Sequence, residues 1–175
     1  IFPAASAAWR ISDESFMEWS KDWLSTLKMR ASYGKSGNAR VGSYWRQTYS
    51  PVTSTKNLYY QNEIGQSSLQ PAKRLRNENL TWESKFSTNV GFDLGFFSNR
   101  INLTFDYYND VTKDLIMEVQ LPSNAGYSSQ YQNLGQTTNR GVELSLNANL
   151  VQTKDFYLDF NFNIAFNKNK VDALY

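Results

Sequence analysis

Cysteine and histidine are both missing from this 175-residue sequence. The segment therefore builds no disulfide, no thiol or Ser-His-Asp nucleophile, and no zinc site on those ligands. The lack of cysteine says nothing of compartment, since an extracytoplasmic protein need not carry any. No run of about 18 apolar residues occurs, so no transmembrane helix is encoded, although a membrane barrel strand needs only about 9–11 residues. An initiator Met and a charged leader are absent as well. Opening at Ile1 and stopping at Tyr175 after a strand-like run, the sequence reads as an excised piece of something larger. Charge is sparse: the net value is +2 and dispersed, which favours neither nucleic acid nor an acidic substrate. The one basic cluster, Lys73, Arg74 and Arg76, lies in a Gln/Pro/Asn-rich stretch and reads as a solvated loop. The length suffices for one ordinary domain with a sizeable core.

What is present is alternation. In "SKFSTNVGFDLGFF" (84–97), Phe86, Thr88, Val90, Phe92, Leu94 and Phe96 alternate with Lys85, Ser87, Asn89, Gly91, Asp93 and Gly95. Side chains on a strand point to opposite faces in turn, so this is a strand with one apolar and one polar face. The pattern recurs at about 3–11 (Ala5, Ala7, Trp9, Ile11) and 24–33 (Leu27, Met29, Ala31, Tyr33). It recurs again from Arg100, with Ile101, Leu103, Phe105 and Tyr107 against Asn102, Thr104, Asp106 and Tyr108. In "GVELSLNANL" (141–150), Val142, Leu144, Leu146, Ala148 and Leu150 alternate with Glu143, Ser145, Asn147 and Asn149. In "YLDFNFNIAFNKN" (157–169), Leu158, Phe160, Phe162, Ile164 and Phe166 alternate with Asp159, Asn161, Asn163 and Asn167.

Parity then constrains register. A two-residue turn at Ser98-Asn99 sets Phe96 against Ile101, Leu94 against Leu103 and Phe92 against Phe105, with every polar residue on the other face. The phases of the last two strands require an odd-length turn, which "QTKDF" (152–156) supplies. Long connections are expected at about 36–80 and 117–137, on the side opposite the short turns. The connection at 12–24, "SDESFMEWSKDWL", fits a capping box at Ser15 and Glu18, with Phe16, Trp19 and Trp23 on one helical face. It reads either as a short interfacial helix or as a helix packed on a soluble core.

The same alternation would suit a soluble sandwich. Three features favour a barrel: polar faces rich in Asn, Ser, Thr, Gly and Asp, strands of a dozen or more residues where a soluble strand averages about five or six, and aromatic residues near strand ends. Trp82, Phe96, Phe97, Tyr107, Tyr157 and Phe166 are placed like two interfacial girdles. The expected fold is all-β, antiparallel and up-and-down, about six strands of a large transmembrane β-barrel plus a short interfacial helix.

Several stretches carry a family likeness: "FPAASAAWRIS" (2–12), "WLSTLKMRASYGKSGN" (23–38), "NENLTWESKFSTNVGFDLGFFSNRINLTFDYYNDVTKDLI" (77–116), "QNLGQTTNRGVELSLNANL" (132–150) and "FNFNIAFNKNKV" (160–171). In order and spacing they resemble the C-terminal barrel segment of the SusC/RagA family, TonB-dependent outer-membrane transporters of Bacteroidetes. The resemblance implies a barrel closed by an N-terminal plug that lies outside this segment. It implies uptake of oligosaccharides or peptides in the bacterial outer membrane, a SusD-like surface lipoprotein as partner, and TonB contacts elsewhere in the protein. No cofactor, metal or enzymatic activity is expected, and no nucleic acid partner.

On the barrel reading, Lys85, Asn89, Asp93, Asp106, Glu143, Asn147, Asp159, Asn161 and Asn163 face the lumen. Phe86, Val90, Phe92, Leu94, Phe105, Leu144, Leu146, Phe160, Phe162 and Ile164 face lipid. Tyr44, Trp45, Tyr49, Tyr59, Tyr60, Tyr127 and Tyr131 in the long loops offer rings for stacking on substrate, or else pack the loops together. Tyr33, Gly34, Gly37, Asn38, Asn133, Gly135, Asn139, Gly141 and Glu143, in the family-like motifs, read as structural. Asp93 and Asp106 invite comparison with a glycosidase pair, but they are not directly opposed and suit ordinary wall lining better. The alternatives are a soluble β-sandwich that binds glycans and a simple diffusion porin.

Overall fold

The alternating runs become strands, and matching faces select their neighbours. The computed structural model describes residues 1–38, 49–51, 69–71 and 74–174. In chain order the strands are β1 (Ala4–Arg10), β2 (Leu24–Asn38), β3 (Tyr49–Pro51), β4 (Leu69–Pro71), β5 (Arg74–Leu75), β6 (Glu83–Phe96), β7 (Ile101–Lys113), β8 (Ile116–Gln120), β9 (Ser129–Asn133), β10 (Gln136–Gln152) and β11 (Tyr157–Ala173). Six of them form one sheet in the order β1-β2-β6-β7-β10-β11, with every neighbouring pair antiparallel. β1 and β11 are its open edges. A two-stranded sheet (β3-β4) and a three-stranded one (β5-β9-β8) stand apart from it. Five strands of the large sheet run 13 to 17 residues, far beyond the soluble average.

The β6–β7 register is the one that parity requires: Phe96 pairs with Ile101, Leu94 with Leu103 and Phe92 with Phe105. Ser98 and Asn99 both have positive φ, 58° and 61°, as a type I′ hairpin demands. The turn is fastened sideways, since the Ser98 amide donates to Ser25 Oγ at 2.7 Å. The last hairpin obtains its phase differently from the expectation. Gln152 pairs with Tyr157, leaving a four-residue turn, and the odd residue enters as a bulge between Asn149 and Val151.

The connection after β1 also departs from the sequence reading. It forms two short 3-10 turns, 11–13 and Ser15–Ser20, and no side chain caps either. Ser15 is the first helical residue rather than the cap, and Glu18 receives Lys21 instead of closing a capping box. In 3-10 geometry Phe16 and Trp19, three residues apart, fall on one side of the turn. Trp23 lies beyond the turn and stacks on Phe96, centroids 6.1 Å apart. The long connection at 117–137 is not a plain loop either, because it holds the β8–β9 hairpin.

Chain direction puts the connections 11–23, 97–100 and 153–156 at one end of the sheet, and at the other the connection 114–135 and the strand ends, Asn38 and Glu83, that bound the connection 39–82. Short and long connections are thus segregated. The apolar parity positions share one face. Trp9, Met29, Phe92, Phe105, Leu144 and Ile164 form one cross-strand row, and Leu27, Leu94, Leu103, Leu146 and Phe162 form the next. That face is uncovered: among the described residues only Leu24, Leu80 and Ala148 are buried apolar side chains, while Phe160, Phe162, Ile164 and Phe166 are exposed. A sandwich would have put a second sheet there.

The apolar stripe runs obliquely. Measured from the Phe92–Phe105–Leu144–Ile164 row, it reaches Phe86 and Val111 toward the long-connection end on β6 and β7, interrupted by Asn109. On β10 and β11 it stops at Val142 and Phe166, yet it extends further toward the short-turn end, to Leu150 and Leu158. With strands about 4.8 Å apart and a rise of about 3.3 Å per residue, the slant from β6 to β11 is roughly 30–45°, while on β2 the stripe ends at Tyr33, since Lys35 holds the Phe86 row. Of the expected aromatic girdles, Phe96, Phe97 and Tyr157 lie at the short-turn end and Trp82 at the other. Tyr107 and Phe166 instead share the mid-strand row of Val90.

Candidate functional site

The polar face is built by the same register that aligns the apolar one. Arg30 on β2 stands across from Gly91 on β6, which stands across from Asp106 on β7, and Glu143 on β10 completes the row. The Arg30 guanidinium donates to both Asp93 oxygens, Nε at 2.9 Å and Nη2 at 3.0 Å, and Nη2 also reaches Asp106 Oδ1 at 3.0 Å. Bidentate Arg–carboxylate geometry of this kind is specific as well as strong. Gly91 makes the reach across two strands possible, because a Cβ there would lie 2.3 Å from Asp106 Oδ1 and 2.8 Å from Arg30 Nη2. The two aspartates are thus not opposed to each other, and one cation joins them.

Lys85 pairs with Asp110 at 2.7 Å on the same face, and Asn89 donates to Ser32 at 3.3 Å. Asn147 and Asn161 are cross-strand partners, as are Ser145 and Asn163, and Asn149 and Asp159. Lys85, Asn89, Asp93, Asp106, Glu143, Asn147, Asp159, Asn161 and Asn163 therefore fall on one face of the large sheet. Arg30, Ser32, Asn89, Gly91 and Asp106 line an open hollow there with Ser6 of β1.

Beyond the strand ends, the long connections meet in the β5-β9-β8 sheet. Arg74 donates to Glu118 through Nε at 2.8 Å, and its guanidinium lies 5.0 Å from the centroid of the Tyr131 ring. Ser129 Oγ and the Tyr131 hydroxyl also donate to Glu118. Tyr131 is thus engaged on one ring face and at its hydroxyl. Arg74 is ion-paired and still about half exposed to solvent. Tyr127 lies at the hairpin tip, half-buried, and Tyr49 begins β3. Tyr44, Trp45, Tyr59, Tyr60 and Lys73 lie outside the described residues.

The Arg74 hydrogen bond, then that of Ser129, holds the Glu118 carboxyl down to about 2 from an ordinary 4.5. A depressed carboxylate stabilises the folded loop above its unfolded value, and that contribution fades as pH falls toward the folded one. Amide exchange in β8 and β9, corrected for intrinsic rates, is expected to stay slow at pH 5 and quicken between about 4.5 and 2. Arg74→Gln should move that change up toward 4.5. An unchanged profile in the variant would show that Arg74 does not govern it.

Among the motif residues, Asn133 Nδ2 donates to the carbonyls of Thr81 and Asp114, both at 2.8 Å, and its Oδ1 accepts from the Thr81 amide. Asn38 donates to Glu83 at 2.8 Å, and Glu83 in turn accepts the Ile116 amide. Gly37 lies beneath the Phe2 ring, which meets Trp82 edge-on. Gly135 adopts φ +139°, where side chains are strained. Arg30 and Glu118 were not singled out in the sequence. Parity puts Arg30 on the polar face, but its partners depend on the β2–β6 register, which a long connection leaves free.

Comparison with known proteins adds an independent line. Residues 1–174 match the family described as TonB dependent receptor-like, beta-barrel. The chain is 35% identical over 174 residues to TonB-dependent receptor P3 of Formosa agariphila. It is 34% identical over 175 residues to TonB-dependent receptor SusC of Bacteroides thetaiotaomicron. It covers 99% of itself in both cases and 17% of either relative. Among solved structures, the RagAB peptide transporter superposes with a TM-score of 0.82 at 31% identity, over 99% of this chain and 18% of that one.

Proposed function

Because the chain belongs to the TonB dependent receptor-like β-barrel family, we propose that its six-stranded sheet is a sector of the barrel wall of an outer-membrane nutrient importer. The apolar face meets lipid and the polar face lines the lumen. The observation that carries this reading is the oblique apolar stripe. Barrel strands tilt by about 35–45°, so a lipid slab crosses them at that angle rather than square to the strands. On β6 the stripe from Phe96 to Phe86 spans ten residue rises, which at such a tilt is about 25 Å in height, the usual apolar band of a transmembrane barrel.

Barrels of this kind keep short turns on the periplasmic side and long loops outside. The 39–82 and 114–135 connections are then extracellular, where a SusD-like lipoprotein would cap the mouth. The relatives named SusC and RagAB support such a partner and TonB-driven uptake. The cargo is an oligosaccharide or a peptide, moved without bond chemistry. Arg30, Asp93, Asp106 and Glu143 give the lumen a hydrated charged wall, and Tyr127 and the loop tyrosines are its substrate-facing candidates.

Single cysteines at Phe92 and Asp93 in the full-length protein test the orientation. Position 92 should report bilayer to a depth-sensitive spin label, and position 93 should react with a bulky water-soluble thiol reagent. Shielding of position 92 from both lipid and water would turn its face into a protein core and end the barrel reading.

A further inference from the structure

The face assigned to lipid does not stay apolar to its upper edge. Arg140 on β10 and Lys168 on β11 are direct cross-strand partners. One row further toward the long-connection end come Lys35 and Lys170, and one row beyond that Lys113. Lys35 and Lys113 both lie over the Phe86 ring, at 5.2 and 5.8 Å from its centroid. Asp172 is the single acid among them, and it is taken by Lys170 at 3.1 Å. Among the described residues, Arg140, Lys168, Lys35 and Lys113 have no acidic side chain within ion-pair distance. At the same height on the polar face, by contrast, Lys85 is matched by Asp110.

Like charges directly opposed across a ladder repel. An anion between or over Arg140 and Lys168 would relieve that repulsion. We propose that this patch binds phosphate-bearing lipid headgroups of the outer leaflet. The inference rests on the orientation proposed above and goes one step beyond it. The occupant follows from charge complementarity and from continuity. The cations border the apolar stripe within one or two rows, so a lipid whose chains lie along Phe166 and Val142 brings its phosphate to Arg140 and Lys168. Arg supplies a fork for phosphate oxygens and Lys a flexible point charge.

The test uses full-length protein, delipidated in detergent, with native mass spectrometry of bound lipid A and of the same lipid stripped of its phosphates. Wild type should prefer the phosphorylated form. The Arg140→Gln/Lys168→Gln pair should reduce that preference by about fivefold per cation, on the order of 25-fold together. Lys154→Gln, in the 153–156 turn at the far end, should leave it intact. Equal preference in the double variant, or none in wild type, overturns the headgroup site. So does a preference that millimolar inorganic phosphate abolishes, because the site then recognises anions without lipid. The spin label at position 92 separates the two levels. Lipid contact there without headgroup preference rejects only this inference, and loss of that contact rejects the orientation as well.

Discussion

Lysine in place of Phe105 is expected to destabilise the full-length barrel by about 2–4 kcal/mol, whereas lysine at the adjoining Thr104 should change stability little. Phe105 lies between Phe92 and Leu144 on the apolar face, near the middle of the stripe. On the proposed orientation, a charge there must stay in hydrocarbon or drag water and headgroups inward. Thr104 lies between Asp93 and Ser145 on the polar face, and an ammonium there remains hydrated beside a carboxylate. Depth gives the comparison its force. Lysine at Val111, near the Lys113 end of the same strand, should cost only about 0–1 kcal/mol. Urea unfolding in vesicles, followed by tryptophan fluorescence, reads all three. If the penalties at 105 and 111 match, the face is buried by protein and not by a slab of lipid.

Alanine at Gly141 should cost about 1–3 kcal/mol, as overpacking does in a tight interior. A Cβ there would lie 2.4 Å from the Phe166 carbonyl oxygen and 2.8 Å from the Tyr108 ring carbon that bears the hydroxyl. Tyr108 is its cross-strand neighbour on β7, and its ring leans over the glycine. The ring can turn away, but the carbonyl belongs to the β11 backbone and moves only with the strand. Gly91→Ala is the instructive partner. The three atoms nearest its Cβ are at the ends of Asp106 and Arg30, which can yield, so the expected result is a smaller loss of stability with Arg30 parted from Asp106. The urea midpoints of the two variants decide the matter, and a Gly141→Ala protein as stable as wild type would refute the packing argument.

Much of the wall was legible because alternation and a two-residue turn leave one register for β6 and β7. Where a turn is longer, parity fixes the phase but not the device, and a bulge at Leu150 took the place of a fifth turn residue. The 3-10 turns were not legible because Ser15 and Glu18 have the right spacing for a capping box, and spacing alone does not show that Ser15 sits inside the turn and caps nothing. The loop sheet was invisible for another reason. "SQYQN" has no apolar alternation, and its parallel partner is two residues long, Arg74 and Leu75, so nothing local distinguishes it from loop. Arg30 was missed because its importance lies in what stands across from it.

The β5-β9-β8 sheet draws strands from two separate connections. Asn77 donates to the Tyr131 carbonyl at 2.8 Å, Gln130 to the Arg76 carbonyl at 3.1 Å, and Asn133 clasps Thr81. Residues 74–81 and 114–135 are thereby one object with two entries from the large sheet. Neither connection can be lengthened or trimmed freely, since a shift of Arg74 takes the cation away from Glu118 on the other and leaves it Ser129 and Tyr131 alone. Divergence among descendants of this gene should leave paired changes at 74–81 and 116–133, and grafting one of these segments into another barrel of the family should succeed only when its companion is carried along.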